Sequence, residues 1–216
     1  HAAEGYMRRM VEQGFRVAVC EQLEDPSQAK GVVKRGVTRV VTPGTLVDEL
    51  LLDETKTNLL GAIRSNGENV SIATTELSTG TFELHQCDIL RLSDTLERLG
   101  LSEVIVGEDE EELQQHATIF NIALTLRPAW MFHLDEGKSV LTNQFGVATV
   151  EGFGLTDDDP RIGPAGALLA YIRQTQSEDA SLSHIRPPSI QNDTSFVALD
   201  ATTLRSLEIE QTIRGN

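Results

Sequence analysis

The sequence predicts an α/β protein built on a mixed sheet with flanking helices. A partial α/β segment precedes that unit, and the opening strand and helix of another follow it. Three observations predict this. Three short strand patterns separated by two short Gly-containing turns give a three-stranded meander from Asn58 to Gln86. Helical and strand patterns then alternate to about residue 180. The segments on either side hold too few elements to close a core of their own.

In the first segment, Ala3, Tyr6, Met7, Met10 and Val11 recur at i, i+3, i+4, i+7 and i+8, an apolar stripe of helical period that Gly14 stops. "FRVAVCEQ" alternates as a strand, and "LEDPSQAKG" is a polar loop broken by Pro26 and Gly31. "GVTRVVT" is a second strand, closed by Pro43-Gly44. One helix and two strands lack partners, so the expectation is a segment whose upstream half lies elsewhere. Residues 46–57 read as a charged connection.

The middle unit, 58–180, opens with "NLLGAIRS", "NVSIATTEL" and "GTFELHQ", separated by the turns "SNGEN" and "STG". Ile89, Leu92, Leu96 and Leu99 then share one helical stripe, with Asp88 as a candidate N-cap. "SEVIVG" is a nearly all-apolar strand of the kind buried on both faces. The run "EDEEE" (Glu108 to Glu112) opens a helix at its positive dipole end. "ALTLRPAWMF" is a strand ended by Pro128, and "DEGKSVLTNQFG" is a helix. The last helix of the unit has Pro164 in its first turn and Ala165, Leu168, Leu169 and Ile172 on its buried side. In "SLSHIRPPSI" two successive prolines exclude helix and mark a break. Residues 181–216 add a strand and a helix from near Thr202 that reaches the chain end uncapped, so both ends read as severed. A meander followed by alternating helices and strands is the element order of ribonuclease-H-like folds.

Composition bounds the function. The net charge is −15 over 216 residues, but it is unevenly spread. Residues 1–45 carry seven basic and five acidic side chains, whereas 46–216 carry eleven and twenty-eight. Only the first part suits a polyanion. Within it Lys34, Arg35 and Arg39 are the candidate DNA-backbone contacts, since alternation places both arginines on one strand face. No apolar run approaches the length of a membrane span, and "HAAEGYMRRM" lacks a signal-peptide core. Cys20 and Cys87 read as small buried hydrophobes in a reducing compartment.

"GYMRRMVEQGFRVAVCEQLEDPSQAKGVVKRGVTRVVTPGTLVDE" resembles the closing section of the mismatch-recognition domain of the MutS family of DNA mismatch repair proteins. "NLLGAI", "TELSTGTFEL", "LTNQFG", "EGFG", "GPAGALLAYIRQTQ" and "LDATTLRSLEI" continue the likeness in family order along essentially the whole chain. "CEQLEDP", "RVVTPGT" and "LDATTLRSLEI" are its most specific pieces. The resemblance implies mismatch-recognition domain at 1–45, linker at 46–57, ribonuclease-H-like connector at 58–180 and the start of the core or lever domain at 181–216. It also implies a bacterial, cytoplasmic, nucleoid-associated parent that binds mismatched double-stranded DNA as a homodimer. That parent would use ATP and magnesium and recruit MutL, with no membrane role. The family's mismatch-reading Phe and Glu would lie upstream of His1, and no G-x-x-x-x-G-K-[ST] loop occurs here. The expectation is therefore a non-catalytic connector with no catalytic, cofactor or metal residues, relaying conformational change. Many relatives have Asp at Glu76, which weakens any strict role for an acid there.

Two other readings compete. A metal-dependent nuclease of ribonuclease-H type needs convergent carboxylates, and Glu76, Glu83 and Asp88, with Asp135, Glu136 or Glu151, are the candidates. The first meander strand offers no carboxylate, which counts against it. A ligand-binding α/β domain would need a deep pocket with inward polar groups. "DDDP" (Asp157 to Pro160) reads as an exposed turn and "GFG" (Gly152 to Gly154) as a flexible one. The histidines His1, His85, His116, His133 and His184 show no ligand spacing.

Overall fold

A computed structural model describes residues 2–25, 31–46, 58–176 and 182–191. The expected strand and helix after residue 191, and most of the 46–57 connection, lie outside the described residues.

The chain opens with helix α1 (Ala2–Glu12), then strands β1 (Val17–Gln22) and β2 (Arg35–Val41), which pair antiparallel as a two-stranded sheet. A 3-10 turn, Pro43–Thr45, follows β2 directly. The stripe of α1 is only partly used: Val11 is buried, while Tyr6 and Met10 are 68% and 47% exposed. Cys20, expected inside, is exposed on β1 because a two-stranded sheet leaves one face uncovered. Cys87 is buried as expected.

The meander is β3 (Leu59–Asn66), β4 (Asn69–Glu76) and β5 (Thr81–Asp88). The second turn needs Gly80, which adopts φ +70° and carries no Cβ that would meet the His184 carbonyl oxygen. Asp88 caps a 3-10 turn, Ile89–Arg91, by accepting from the Leu90 N–H at 2.8 Å, and that turn leads into α2 (Leu92–Leu99). Then come β6 (Leu101–Gly107), α3 (Glu111–Ile119), β7 (Ala123–Arg127), α4 (Leu134–Phe145), α5 (Ile162–Thr175) and β8 (Ser189–Ile190).

Six strands form one mixed sheet in the order β7-β6-β3-β4-β5-β8. β4 runs antiparallel to β3 and β5, whereas β6, β7 and β8 pair parallel with their neighbours. One face packs Leu60, Ala73, Phe82, Leu84 and Ile105 against α4 and α5. The other packs Ile63, Ile72, Val104 and Val106 against α2 and α3. Alternation within each central strand thus feeds two cores. Each fully buried aliphatic or aromatic side chain contributes roughly 1.5–3 kcal/mol. The proline pair in "HIRPP" excludes helix as expected but does not end the sheet. Leu182 and Ile185 join the α5-side core, and Ser189–Ile190 pair with Glu83–Leu84. Among the described residues no helix is long and apolar enough to cross a membrane.

"DDDP" is not wholly exposed. Asp159 is buried and grips Arg161 through two hydrogen bonds to its guanidinium, at 2.9 and 2.6 Å. Burial pushes the Asp159 carboxyl up, but the bonds from the Arg161 side chain and backbone outweigh this and hold it below its usual range.

Candidate functional site at the seam

Where the strand pair meets the six-stranded sheet, one buried carboxylate collects four hydrogen bonds. Glu103, 1% exposed, stands in β6 on the α5 face of the sheet. A lone ionised carboxylate there would be costly, so its oxygens must be satisfied. Its Oε1 accepts from the Thr125 hydroxyl of β7 and the Tyr171 hydroxyl of α5, both at 2.6 Å. Its Oε2 accepts from the Thr42 hydroxyl at 2.5 Å and the Gly44 backbone N–H at 2.9 Å. Glu103 therefore ties the sheet and α5 to the Pro-Gly turn that ends β2.

The turn is built to present those donors. The Thr42 N–H donates to the Thr45 hydroxyl at 2.9 Å, and the Thr45 N–H donates to the Thr42 carbonyl at 3.1 Å. The two hydroxyls lie 2.9 Å apart, and since Thr42 spends its only hydroxyl proton on Glu103, Thr45 is the donor between them. Gly44 is required by proximity. A Cβ there would lie 2.6 Å from Leu60 Cδ1 and 2.9 Å from Glu103 Cβ. Burial, and then the Glu103 charge, push the Tyr171 phenol up to about 12, so it stays a donor at ordinary pH.

A second tie runs the other way. Arg16 donates from Nη2 to the Thr125 hydroxyl at 3.0 Å and to the Leu124 carbonyl at 3.4 Å. Thr125 in turn donates a hydrogen bond from its hydroxyl to Glu103. The contacts close a loop from Arg16 through Thr125 and Glu103 back to Thr42 and Gly44. The four donors to Glu103 are each committed to a structural bond, so its chemistry is positional.

Beside the seam lies an open cleft of ≈ 540 Å³, whose described lining includes Val11, Pro43 and Ile122 with the polar Gln13, Asn58 and Asn121. The ligand-binding reading called for a deep pocket with inward polar groups; this cleft offers polar side chains but is open rather than deep.

The candidate backbone contacts lie on or beside β2. Lys34 and Arg35 are exposed, and Arg39 is half-buried opposite Val19. The Lys34 N–H donates to Glu24 at 2.8 Å. Strict alternation between the two arginines fails. The register passes from Val19↔Arg39 to Cys20↔Val37, which inserts Thr38 as an extra residue.

The nuclease carboxylates do not converge. Glu76 accepts from Thr79 at 2.8 Å, Glu83 from Gln191 at 3.0 Å, and Asp88 from Leu90. Glu76 and Glu83 alternate with the residues that face α4 and α5, so they lie toward the opposite side of the sheet. Asp135 and Glu136 open α4 and Glu151 sits in the 3-10 turn Val150–Phe153, all three exposed on the α4 side. Among the described residues no three His, Cys, Asp or Glu side chains group where a metal ion could sit. Of the described histidines, His184 contacts the Leu77 carbonyl, His116 the Ser93 hydroxyl and His85 the Thr74 hydroxyl.

Reading the sequence for motifs missed Glu103, Thr42, Thr125 and Tyr171. The available signal was a single Glu inside "SEVIVG", a strand otherwise suited only to burial.

Comparison with known proteins covers both sides of the seam. The family model described as MutS domain I matches residues 1–50, and that described as MutS domain II matches residues 58–186. The chain is also 39% identical over 235 aligned residues to the DNA mismatch repair protein MutS of Rhodopirellula baltica, covering 99% of this chain and 26% of that protein. It thus spans about a quarter of that relative's length.

Proposed function

This chain belongs to the MutS family of DNA mismatch repair proteins, and from that premise we propose that it is the non-catalytic connector region of such a protein, passing conformational change between a DNA clamp and an ATPase. Residues 1–45 close the mismatch-recognition domain, 46–57 link, 58–180 form the connector and 181–216 begin the core or lever domain. The full-length protein would bind mismatched double-stranded DNA as a homodimer, use ATP and magnesium on parts outside this chain, and offer connector surface to MutL. It would act in the bacterial cytoplasm at the nucleoid.

The observation that carries the reading is the seam. Residues 42–45, at the close of the first unit, are bonded into the sheet of the second through Glu103. A relay needs such a firm joint, because motion in one body reaches another only through contacts that hold. The strand order supports the ribonuclease-H-like build of the connector. Counted from the meander, β5-β4-β3-β6-β7 runs 3-2-1-4-5, with only the second strand antiparallel to the rest.

The test is to stiffen the links on both sides of the connector in full-length MutS and compare binding to mismatched and fully paired duplexes. Reduced discrimination is expected; unchanged discrimination would refute the relay. The region's non-catalytic character has its own check, since magnesium-dependent cleavage of nucleic acid by the 216-residue chain would contradict it.

A further inference from the structure

We propose that Glu103 is a positioning residue that fuses the α1–β1–β2 unit and the six-stranded sheet into one rigid body, so that the connector pivots elsewhere than at the Pro43-Gly44 turn. The inference rests on the relay reading and names the joint within it.

Glu103 bonds to four partners at once: the turn through Thr42 and Gly44, β7 through Thr125, and α5 through Tyr171. Three features make this joint stiff. The carboxylate is buried, so water cannot replace a lost partner cheaply, and breaking one bond leaves a charged acceptor short of a donor. Gly44 allows the turn backbone to approach the Leu60 and Glu103 side chains more closely than any side chain would permit. Arg16, beside Thr42 where the register begins at Val17↔Val41, ties the other strand of the pair to Thr125 and Leu124 of the edge strand β7, so both strands and not β2 alone are held at the seam. A Pro-Gly turn between two sheets would ordinarily be read as a hinge. Here its backbone N–H and both its threonines are committed to bonds.

The bonding pattern separates a polar clasp from mere filling of space. The Gly44 N–H can only donate, so one atom of residue 103 must accept there. Thr125 and Tyr171 are hydroxyls, which can rotate and accept instead. Glu103→Gln therefore keeps the clasp by turning its carbonyl oxygen to Gly44 and its amide to the hydroxyls. Glu103→Met fills the same volume and cannot.

The experiment places nitroxide labels on Cys20, exposed on β1, and on Gln115→Cys, exposed on α3, in the 216-residue chain, and measures the distance distribution by pulsed electron resonance. The parent and Glu103→Gln should give one narrow distance. Glu103→Ala, Glu103→Met and Thr42→Val should lose it to a broad or split distribution. Thr42→Val removes the hydroxyl tie and leaves the Gly44, Thr125 and Tyr171 bonds in place, so it tests the joint should a Glu103 variant fail to fold. A narrow distance in Thr42→Val and in any folded Ala or Met variant overturns the proposal. The same substitutions in full-length MutS separate the two ideas. A broadened distance with unchanged mismatch discrimination sustains the clasp and defeats the relay, whereas a narrow distance with reduced discrimination does the reverse.

Discussion

The guanidinium of Arg127 lies over the ring of Tyr171, 4.7 Å from its centroid, while the hydroxyl of that ring donates to Glu103. A cation on the face and an anion at the hydroxyl fix one aromatic side chain from two directions.

Alkaline stability should report this arrangement. Tyr171 ionises at about 12 in the folded protein, above the ordinary value of 10.0. A phenol whose pKa rises on folding contributes stability that is complete below the unfolded value. That contribution is lost as pH climbs from about 10 to about 12, and amounts to roughly 2–3 kcal/mol. The chain has two tyrosines, so in Tyr6→Phe the phenolate absorbance belongs to Tyr171 alone. Ionisation near the ordinary value would show that Tyr171 is neither buried nor held against Glu103.

Glycine contacts should rank by what they meet. A Cβ on Gly166 would sit 2.3 Å from the Gly137 Cα, backbone against backbone, so α4 and α5 must part. Gly166→Ala is expected to cost about 3 kcal/mol, at the upper end for overpacking. Gly44→Ala meets side chains of Leu60 and Glu103 and should cost about 1–3 kcal/mol. Urea unfolding of the chain measures both, and a larger loss for Gly44→Ala would reverse the ranking.

Acid should weaken the start of α5. Asp159 is held below its usual range by Arg161, so its contribution is present above the ordinary aspartate pKa and disappears as pH falls through the depressed one. Asp159→Asn should lose about 1–2 kcal/mol at neutral pH, as a charged hydrogen bond would, and flatten this part of the acid profile. Parallel acid-unfolding curves for the two proteins would contradict the assignment.

Arg35→Ala combined with Arg39→Ala in full-length MutS should weaken binding to every duplex alike and reduce the salt slope, as loss of phosphate contacts does. Because Thr38 interrupts the alternation between them, the exposed Arg35 should carry most of the effect. Salt titrations of the single variants apportion it; unchanged slopes would remove both from the interface.

The meander was legible because its signals are local. Three short runs suited to strands are separated by turns that carry Gly67 and Gly80, both with positive φ in the structure. The stripe Ile89, Leu92, Leu96 and Leu99 likewise lands on the α2–α3 core. β8 was not legible, since a two-residue strand after two prolines has no period to detect. Nor was the seam. Glu103 makes its four bonds to residues 61, 59, 22 and 68 positions away, a relation that periodicity cannot express. Cys20 and the α1 stripe misled because apolar pattern foretells a buried face without saying which neighbour covers it.

β8 has a consequence out of proportion to its size. It lies along the outer side of β5, with the Arg186 and Gln191 N–H groups donating to the Gly80 and Leu84 carbonyls at 2.8 Å. Pro187 and Pro188, just before it, have no amide hydrogen to offer a newcomer. The segment thus forms a selvedge over the first half of the outer side of β5. A shortened chain ending before Arg186 would uncover that stretch of β5 as well, and more self-association in concentrated solution is the expected result.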